Sequence, residues 1–222
     1  MDTAHEATSV VDDLFTPLPV RSVEHDTDDS VVVTFDTTGT ARETTFGHGQ
    51  HLTLRREFDG VEIRRSYSIC SVAPSGDLRV AIKRIDGGVF STWANTELQA
   101  GDVVDVMPPS GHFGQALDPD AARRYTLLAA GSGITPIFSI AATILATEPR
   151  SHVTLLYVNR DDRSIIFESE LRELARDSGI TLHLFTDAPS AREDLSTCRL
   201  GPELLQRVVP DAADRETYVC AP

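Results

Sequence analysis

Tyr125-Thr126-Leu127-Leu128-Ala129-Ala130-Gly131-Ser132-Gly133-Ile134-Thr135-Pro136 is the stretch that decides how this chain folds. Its first half is an unbroken apolar run, as expected of a strand covered on both faces. The two glycines let the backbone turn tightly and approach a ligand, and Pro136 suits the first turn of a helix. Downstream the text alternates: a helix over 137–147, a strand over 152–158, a helix over 168–177, a strand over 180–185, a helix over 202–209 and a strand over 217–220. That rhythm predicts a parallel, doubly wound α/β sheet. Upstream, residues 18–108 read differently. Short β-branched or alternating runs (31–35, 51–54, 61–63, 78–82, 103–106) are separated by Gly-containing turns, with one helical insertion over 90–97. Many short strands at near-regular spacing predict a barrel or sandwich. The expected organisation is a loose arm over 1–16, a β domain over 17–116 and an α/β domain over 117–222.

The 222 residues carry 34 acids against 20 bases, a formal charge of −14. So acidic a chain is a poor partner for nucleic acid or for an anionic membrane surface, both of which select a basic face. Cys70, Cys198 and Cys220 are too few and too scattered for a disulfide framework or a zinc or iron–sulfur site. His48 and His51 fall on opposite faces at strand spacing, and no metal site is expected. No basic-then-apolar leader opens the chain, and no apolar run approaches the length of a membrane helix. These features point to the cytoplasm.

Three constellations carry possible chemistry. The turn 131–136 lies between a buried strand and a helix, so free N–H groups and a positive dipole end are offered to a phosphate. Pro136 stands where a Rossmann fingerprint has its third glycine. Arg64-Arg65-Ser66-Tyr67-Ser68-Ile69 alternates, with Arg65 and Tyr67 on one face and Ser66 and Ser68 on the other. It reads either as a plain edge strand or as a flat ring on Tyr67 with a phosphate on Arg65. Ile82-Lys83-Arg84 is followed by Gly87-Gly88-Val89-Phe90-Ser91, which is either a hairpin turn or a helix start open to a second phosphate. Residues 50–85 hold seven bases against four acids, whereas residues 1–36 hold one base against nine acids. A positive island overlapping two phosphate-competent motifs favours an anionic ligand.

Taken together, Arg65-Ser66-Tyr67-Ser68, Gly88-Val89-Phe90-Ser91 and the 131–136 turn resemble the ferredoxin–NADP reductase superfamily, over roughly residues 18–222. Gly49-Gln50-His51-Leu52-Thr53-Leu54, Tyr67-Ser68-Ile69-Cys70, Gly111-His112-Phe113-Gly114 and Tyr157-Val158-Asn159-Arg160 are similar to the reductase subunits of phenylacetyl-CoA epoxidases and ketosteroid hydroxylases. The resemblance implies an antiparallel β-barrel that binds FAD, followed by the α/β domain that binds NADH or NADPH. It implies a flavoprotein reductase passing a hydride to FAD and then single electrons to an iron–sulfur acceptor that serves an oxygenase of aromatic or steroid catabolism. Tyr67, Ser68 and Cys220 become the candidate catalytic residues: a ring on the flavin, a hydroxyl near its N5, and a thiol bordering the nicotinamide. Arg65 pairs with the FAD pyrophosphate, beside Ser66. Ile82, Lys83, Gly87, Gly88, Val89, Phe90 and Ser91 line the phosphate and ribityl region, and His51 reaches the adenine end. Gly131, Ser132, Gly133, Ile134, Thr135 and Pro136 meet the dinucleotide, Thr135 touching both cofactors. Asn159 and Arg160 read its adenosine ribose. Arg160 suits a 2′-phosphate, whereas Asp161 and Asp162 suit a free 2′-OH.

Two departures from that family stand out. Its Cys-Gly-Pro appears as Cys220-Ala221-Pro222, adding a methyl beside the nicotinamide. The text also stops before the helix, strand and 2Fe-2S ferredoxin domain that follow in those reductases. We therefore expect an incomplete α/β domain, a piece of a longer protein, with the 2Fe-2S group on the missing domain or on a partner. The alternatives are a catalytically silent FAD- or nucleotide-binding module, and a scaffold whose motifs are only turns.

Overall fold

The computed structural model describes residues 14–40, 44–74, 76–198 and 201–222. The proposed arm lies mostly outside these residues, and its last member, Thr16, already opens a strand. Six strands, β1 (Thr16–Thr27), β2 (Ser30–Phe35), β3 (His51–Phe58), β4 (Val61–Ser68), β5 (Arg79–Lys83) and β6 (Val103–Val106), form an antiparallel sheet in the order β4-β3-β6-β1-β2-β5. A bridge between Ile69 and Val80 joins the end of β4 to β5 and closes the sheet into a barrel. Leu18, Val31, Val33, Leu52, Leu54, Ile82 and Val106 fill it, and α1 (Val89–Thr96) plugs one end with Phe90, Trp93 and Ala94. Asp59 (φ 50°) and Gly60 (φ 77°) make the two-residue turn between β3 and β4, as the twist of a tight hairpin requires.

All six residues of β2 are buried. Val31 and Val33 point into the barrel, whereas Val32 joins Ala81 and Cys70 in a second core shared with the α/β domain. The β-branched run 31–35 is thus a strand covered on both sides, one side by its own barrel and the other by the neighbouring domain.

That domain is a parallel sheet of β7 (Arg124–Ala130), β8 (His152–Asn159), β9 (Ile180–Thr186), β10 (Ser196–Thr197) and β11 (Glu216–Cys220), in the order β10-β9-β8-β7-β11. Leu127, Ala129, Leu155 and Tyr157 pack beneath α2 (Ile134–Thr147) and α3 (Glu168–Asp177). Leu128, Leu156 and Val158 alternate to the opposite face, under Leu204 of α4 (Pro202–Val208). The expected fold class, a β-barrel joined to a doubly wound parallel sheet, is the one observed. In the α/β domain two features differ from expectation: β10 lies outside the expected strands, and the helix expected from residue 137 starts at Ile134, with a 3-10 turn over Gly131–Gly133 before it. The Gly-rich turn is therefore itself helical. No helix among the described residues is long and apolar enough to cross a membrane.

Long-range polar bonds clamp the two domains. The Ser139 hydroxyl of α2 donates to Ser71 O (2.6 Å), Ala73 N donates to Thr143 Oγ1 (3.0 Å), and Phe167 N donates to Asp26 Oδ2 (3.0 Å). The faces of a cleft at the junction are thereby held in register.

Candidate functional site

The end of β4 forms one wall of that cleft. Ser66, Tyr67 and Ser68, the last three residues of the strand, all line it. The Tyr67 ring leans on Phe90 of α1 at 5.9 Å between centroids. Burial pushes its hydroxyl up to about 12, so it stays protonated and able to donate at neutral pH. Ser66 Oγ and Thr53 Oγ1 lie 3.0 Å apart across the β3–β4 hairpin. Lys83 and Arg84, at the end of β5, continue this wall.

The opposite wall is the 131–136 turn. Gly131, Ser132, Gly133, Thr135 and Pro136 line the cleft with Cys220, Ala221 and Pro222, around a volume of about 580 Å³. Gly131 sits at φ +49°, and the Tyr157 hydroxyl beneath it donates to its carbonyl (3.1 Å). Gly133 is required for a different reason. A Cβ there would lie 2.1 Å from Cys220 O, so only glycine lets the start of α2 touch the end of β11. The Thr135 hydroxyl donates back to Ser132 O (3.1 Å). Cys220 is half-buried and its thiol is pushed up by burial, leaving it neutral rather than nucleophilic.

The remaining candidates sit elsewhere. Ile82, Phe90 and Ile134 are fully buried in the cores, so their side chains supply packing. Gly87 adopts φ +73°, and a Cβ on Gly88 would meet Ser91 Oγ at 2.6 Å. The Ser91 hydroxyl is already used: it accepts from Ile85 N (3.1 Å) and donates to Gly88 O (3.2 Å), holding the turn that leads to half-exposed Val89 at the start of α1. Arg65 is exposed and its guanidinium donates to Arg64 O (2.7 Å). His51 pairs through its backbone with Ser110 and stands directly across the hairpin from Ser68. Asn159 is buried at the end of β8. Arg160 lies in a smaller cleft of about 290 Å³, lined by four bases, Lys83, Arg84, Arg160 and Arg163, and four acids, Asp28, Asp29, Asp86 and Asp161. Sequence reasoning missed Arg84 and Ile85, which the main cleft includes. Their adjacency to Lys83 was the available signal.

The positive island is smaller in space than in sequence. Arg55 pairs with Asp105 (2.9 Å), Arg64 with Glu62 (2.6 Å), Arg79 with Glu170 (3.7 Å) and Lys83 with Asp29 (3.7 Å), while Arg56 lies over the Trp93 ring at 4.2 Å. Lys83, the only lysine, therefore stands beside an acid from the acidic N-terminal segment.

The family model of an oxidoreductase FAD-binding domain matches residues 17–114, and that of an oxidoreductase NAD-binding domain matches residues 127–222. The chain belongs to the ferredoxin–NADP reductase family. It is 39% identical over 215 residues to a subunit of the 1,2-phenylacetyl-CoA epoxidase of Escherichia coli K12, covering 94% of this chain and 60% of that protein. It is 40% identical over 190 residues to the ferredoxin reductase component of the 3-ketosteroid-9-alpha-monooxygenase of Mycobacterium tuberculosis, covering 82% of this chain and 49% of that one. The chain thus spans between about half and three-fifths of the length of these relatives. A ferredoxin–NADP reductase from Neisseria gonorrhoeae, solved with FAD and NADP bound, superposes with a TM-score of 0.74 at 23% identity, over 94% of this chain and 85% of that one. That last likeness is one of fold. The two family domains meet where the barrel meets the α/β sheet, at the cleft between Tyr67 and Gly133.

Proposed function

We propose that this chain is the flavin- and nicotinamide-binding portion of an oxygenase reductase, with residues 17–116 as the flavin domain and 117–222 as the nucleotide domain. The observation that carries this reading is the single cleft that faces the end of β4 with the 131–136 turn and Cys220. The residues present fit such a pair of cofactors. A neutral phenol offers a flat face, Ser68 brings a hydroxyl next to it in sequence, and the two glycine-built turns lead into the N-terminal ends of α1 and α2, the positive ends of their dipoles.

FAD bound there supplies hydride acceptance from NAD(P)H and one-electron transfer onward to an iron–sulfur acceptor. The protein's part is position and electrostatics. Tyr67, braced by Phe90, holds the ring plane. Arg65 presents a charge beside it for a pyrophosphate, and Lys83 with the Gly88 turn extends that line. Gly133 and Thr135 set the height of the opposite wall, and Cys220 with the exposed Ala221 forms its rim. The names of the relatives support an iron–sulfur ferredoxin domain or protein, and an oxygenase behind it, as the partners that receive the electrons.

The test is direct. The purified chain is expected to carry yellow flavin, or to take up FAD, and to bleach anaerobically on addition of NADH or NADPH. A colourless protein that takes up no FAD refutes the reading. A yellow protein that neither nucleotide bleaches supports the silent module instead, to which the Ala221 methyl at the rim lends its weight.

A further inference from the structure

We propose that the nucleotide site selects NADH over NADPH, with Asp161 and, from the flavin domain, Asp29 as the residues that reject a 2′-phosphate. The inference rests on the reading above, in which the dinucleotide lies over the 131–136 turn. In a parallel sheet a dinucleotide whose pyrophosphate meets that helix start extends its adenosine over the end of the next strand. The next strand here is β8, paired with β7 through Ala130 and Val158, and it delivers Asn159, Arg160 and Asp161 to that place.

Arg160 is the group there suited to a 2′-phosphate, and it is engaged twice. Its Nε lies 3.0 Å from Asp161 Oδ2 and its Nη2 lies 3.7 Å from Asp29 Oδ2. Neither acid is free to swing away. Asp161 Oδ1 accepts from Arg163 N (3.2 Å) and caps the 3-10 turn Asp162–Ser164, whose Ser164 hydroxyl in turn accepts from Asp161 N (3.1 Å). Asp29 sits in the tight β1–β2 turn, where Thr27 Oγ1 donates to Oδ1 (3.1 Å) and Lys83 Nζ stands 3.7 Å from Oδ2. Three other bases line the small cleft: Arg163 faces Asp28 at 3.6 Å, Lys83 shares Asp29 with Arg160, and Arg84 stands there with Asp86, whose charge offsets its own.

A 2′-phosphate reaching Arg160 would leave two fixed carboxylates beside a group carrying nearly two negative charges. A 2′-hydroxyl has no such conflict, since it donates to a carboxylate oxygen and leaves the Arg160 pairs intact. Asp29 belongs to the barrel, so the discrimination is assembled only when the two domains are docked.

The experiment uses the FAD-loaded chain and titrates ADP-ribose and 2′-phospho-ADP-ribose calorimetrically, a readout independent of turnover. ADP-ribose is expected to bind at least about tenfold tighter, because each carboxylate at about 4 Å in a water-like dielectric is worth roughly fivefold against a unit charge. Asp161→Asn keeps an oxygen for the turn and should raise the affinity for 2′-phospho-ADP-ribose about fivefold; Asp29→Asn should do the same from the other domain. Equal or reversed preference of the parent chain overturns the inference, as do variants that leave the ratio unmoved. If neither ligand binds to the folded, yellow chain, the dinucleotide reading itself falls, and this inference with it.

Discussion

Replacing Gly133 by alanine tests the cleft at its narrowest point. A Cβ on residue 133 would lie 2.1 Å from Cys220 O, 2.5 Å from Cys220 C and 3.0 Å from Ala221 N, all backbone atoms that no rotamer change can move. An ordinary carbon–oxygen contact is about 3.3 Å, so α2 and the end of β11 must part by roughly 1.2 Å. Two costs follow. Overpacking of this kind destabilises by about 1–3 kcal/mol. For a chain of this size that lowers the melting temperature by roughly 2–12 °C. The second cost is functional, because the displaced parts, the 131–136 turn and the end of β11, together form the cleft wall proposed above to meet the nicotinamide. A misplacement near 1 Å lowers the rate of a positioned reaction by about a hundredfold. Flavin retention should be spared, since Arg65, Tyr67 and Ser68 belong to the barrel wall. The assay is anaerobic flavin bleaching by stopped flow, beside thermal melts of the FAD-loaded chain. Gly47→Ala is the control, because its nearest atom would be a side-chain oxygen at 3.8 Å and nothing must move. If Gly133→Ala bleaches within about twofold of the parent and melts at the same temperature, the contact between the turn and Cys220 is not what holds the cleft, and the reasoning fails.

Other expectations follow from the same geometry. Arg65→Ala should weaken FAD affinity by about ten- to a hundredfold, the size of a lost charge-assisted bond, as read by flavin retained through gel filtration; unchanged retention removes Arg65 from the site. Ser91→Ala removes the acceptor of the Ile85 amide and should cost about 0.5–1.5 kcal/mol in urea unfolding, whereas an unmoved midpoint would show the hydroxyl is not what ties that turn. Stability should also fall at high pH. Full burial raises the Cys70 thiol from 9.0 to about 12, so the unfolded chain releases that proton first and the folded chain loses about 1.4 kcal/mol per pH unit in between. Tyr67 adds to the loss from 10.0 to about 12. Cys70→Ala should flatten the first part of this decline in denaturation curves taken from pH 8 upward, and an identical slope would contradict the assignment.

The features legible in the sequence were those fixed by local chemistry. An apolar run followed by Gly-x-Gly and a proline has few alternatives to strand, turn and helix, and the structure adds only that the turn is already helical. β1 was harder to read. Its text, TPLPVRSVEHDT, carries two prolines and little alternation because the strand serves two partners: Thr16, Pro17, Leu18 and Pro19 pair with β6, while residues from Val20 onward pair with β2 through two irregularities. A strand that changes partner midway has no single face to pattern.

The charge pattern shows the other limit, and it bears on function. Read along the chain, residues 26–29 are part of an acidic segment and residues 50–85 a basic one, which suggests solvated acids and bases free for a ligand. In space the β1–β2 turn folds onto the α/β domain, so Asp26 accepts from Phe167 N, Asp29 reaches Arg160 and Lys83, and Asp28 reaches Arg163. Most of those pairings span more than a hundred residues, and no local window contains both partners. Ion pairs with exposed arginines contribute little to stability individually, so their placement matters more for what the arginines can still do. An arginine already shared between two fixed carboxylates is a weak anion trap, whereas one with a single backbone contact, such as Arg65, keeps its charge for a ligand. The positive island therefore separates into bases engaged mostly within the barrel, with Arg79 reaching Glu170 of the α/β domain, and bases such as Arg65 that keep their charge for a ligand. On the proposed reading that division, rather than the total charge, decides where this chain takes a phosphate.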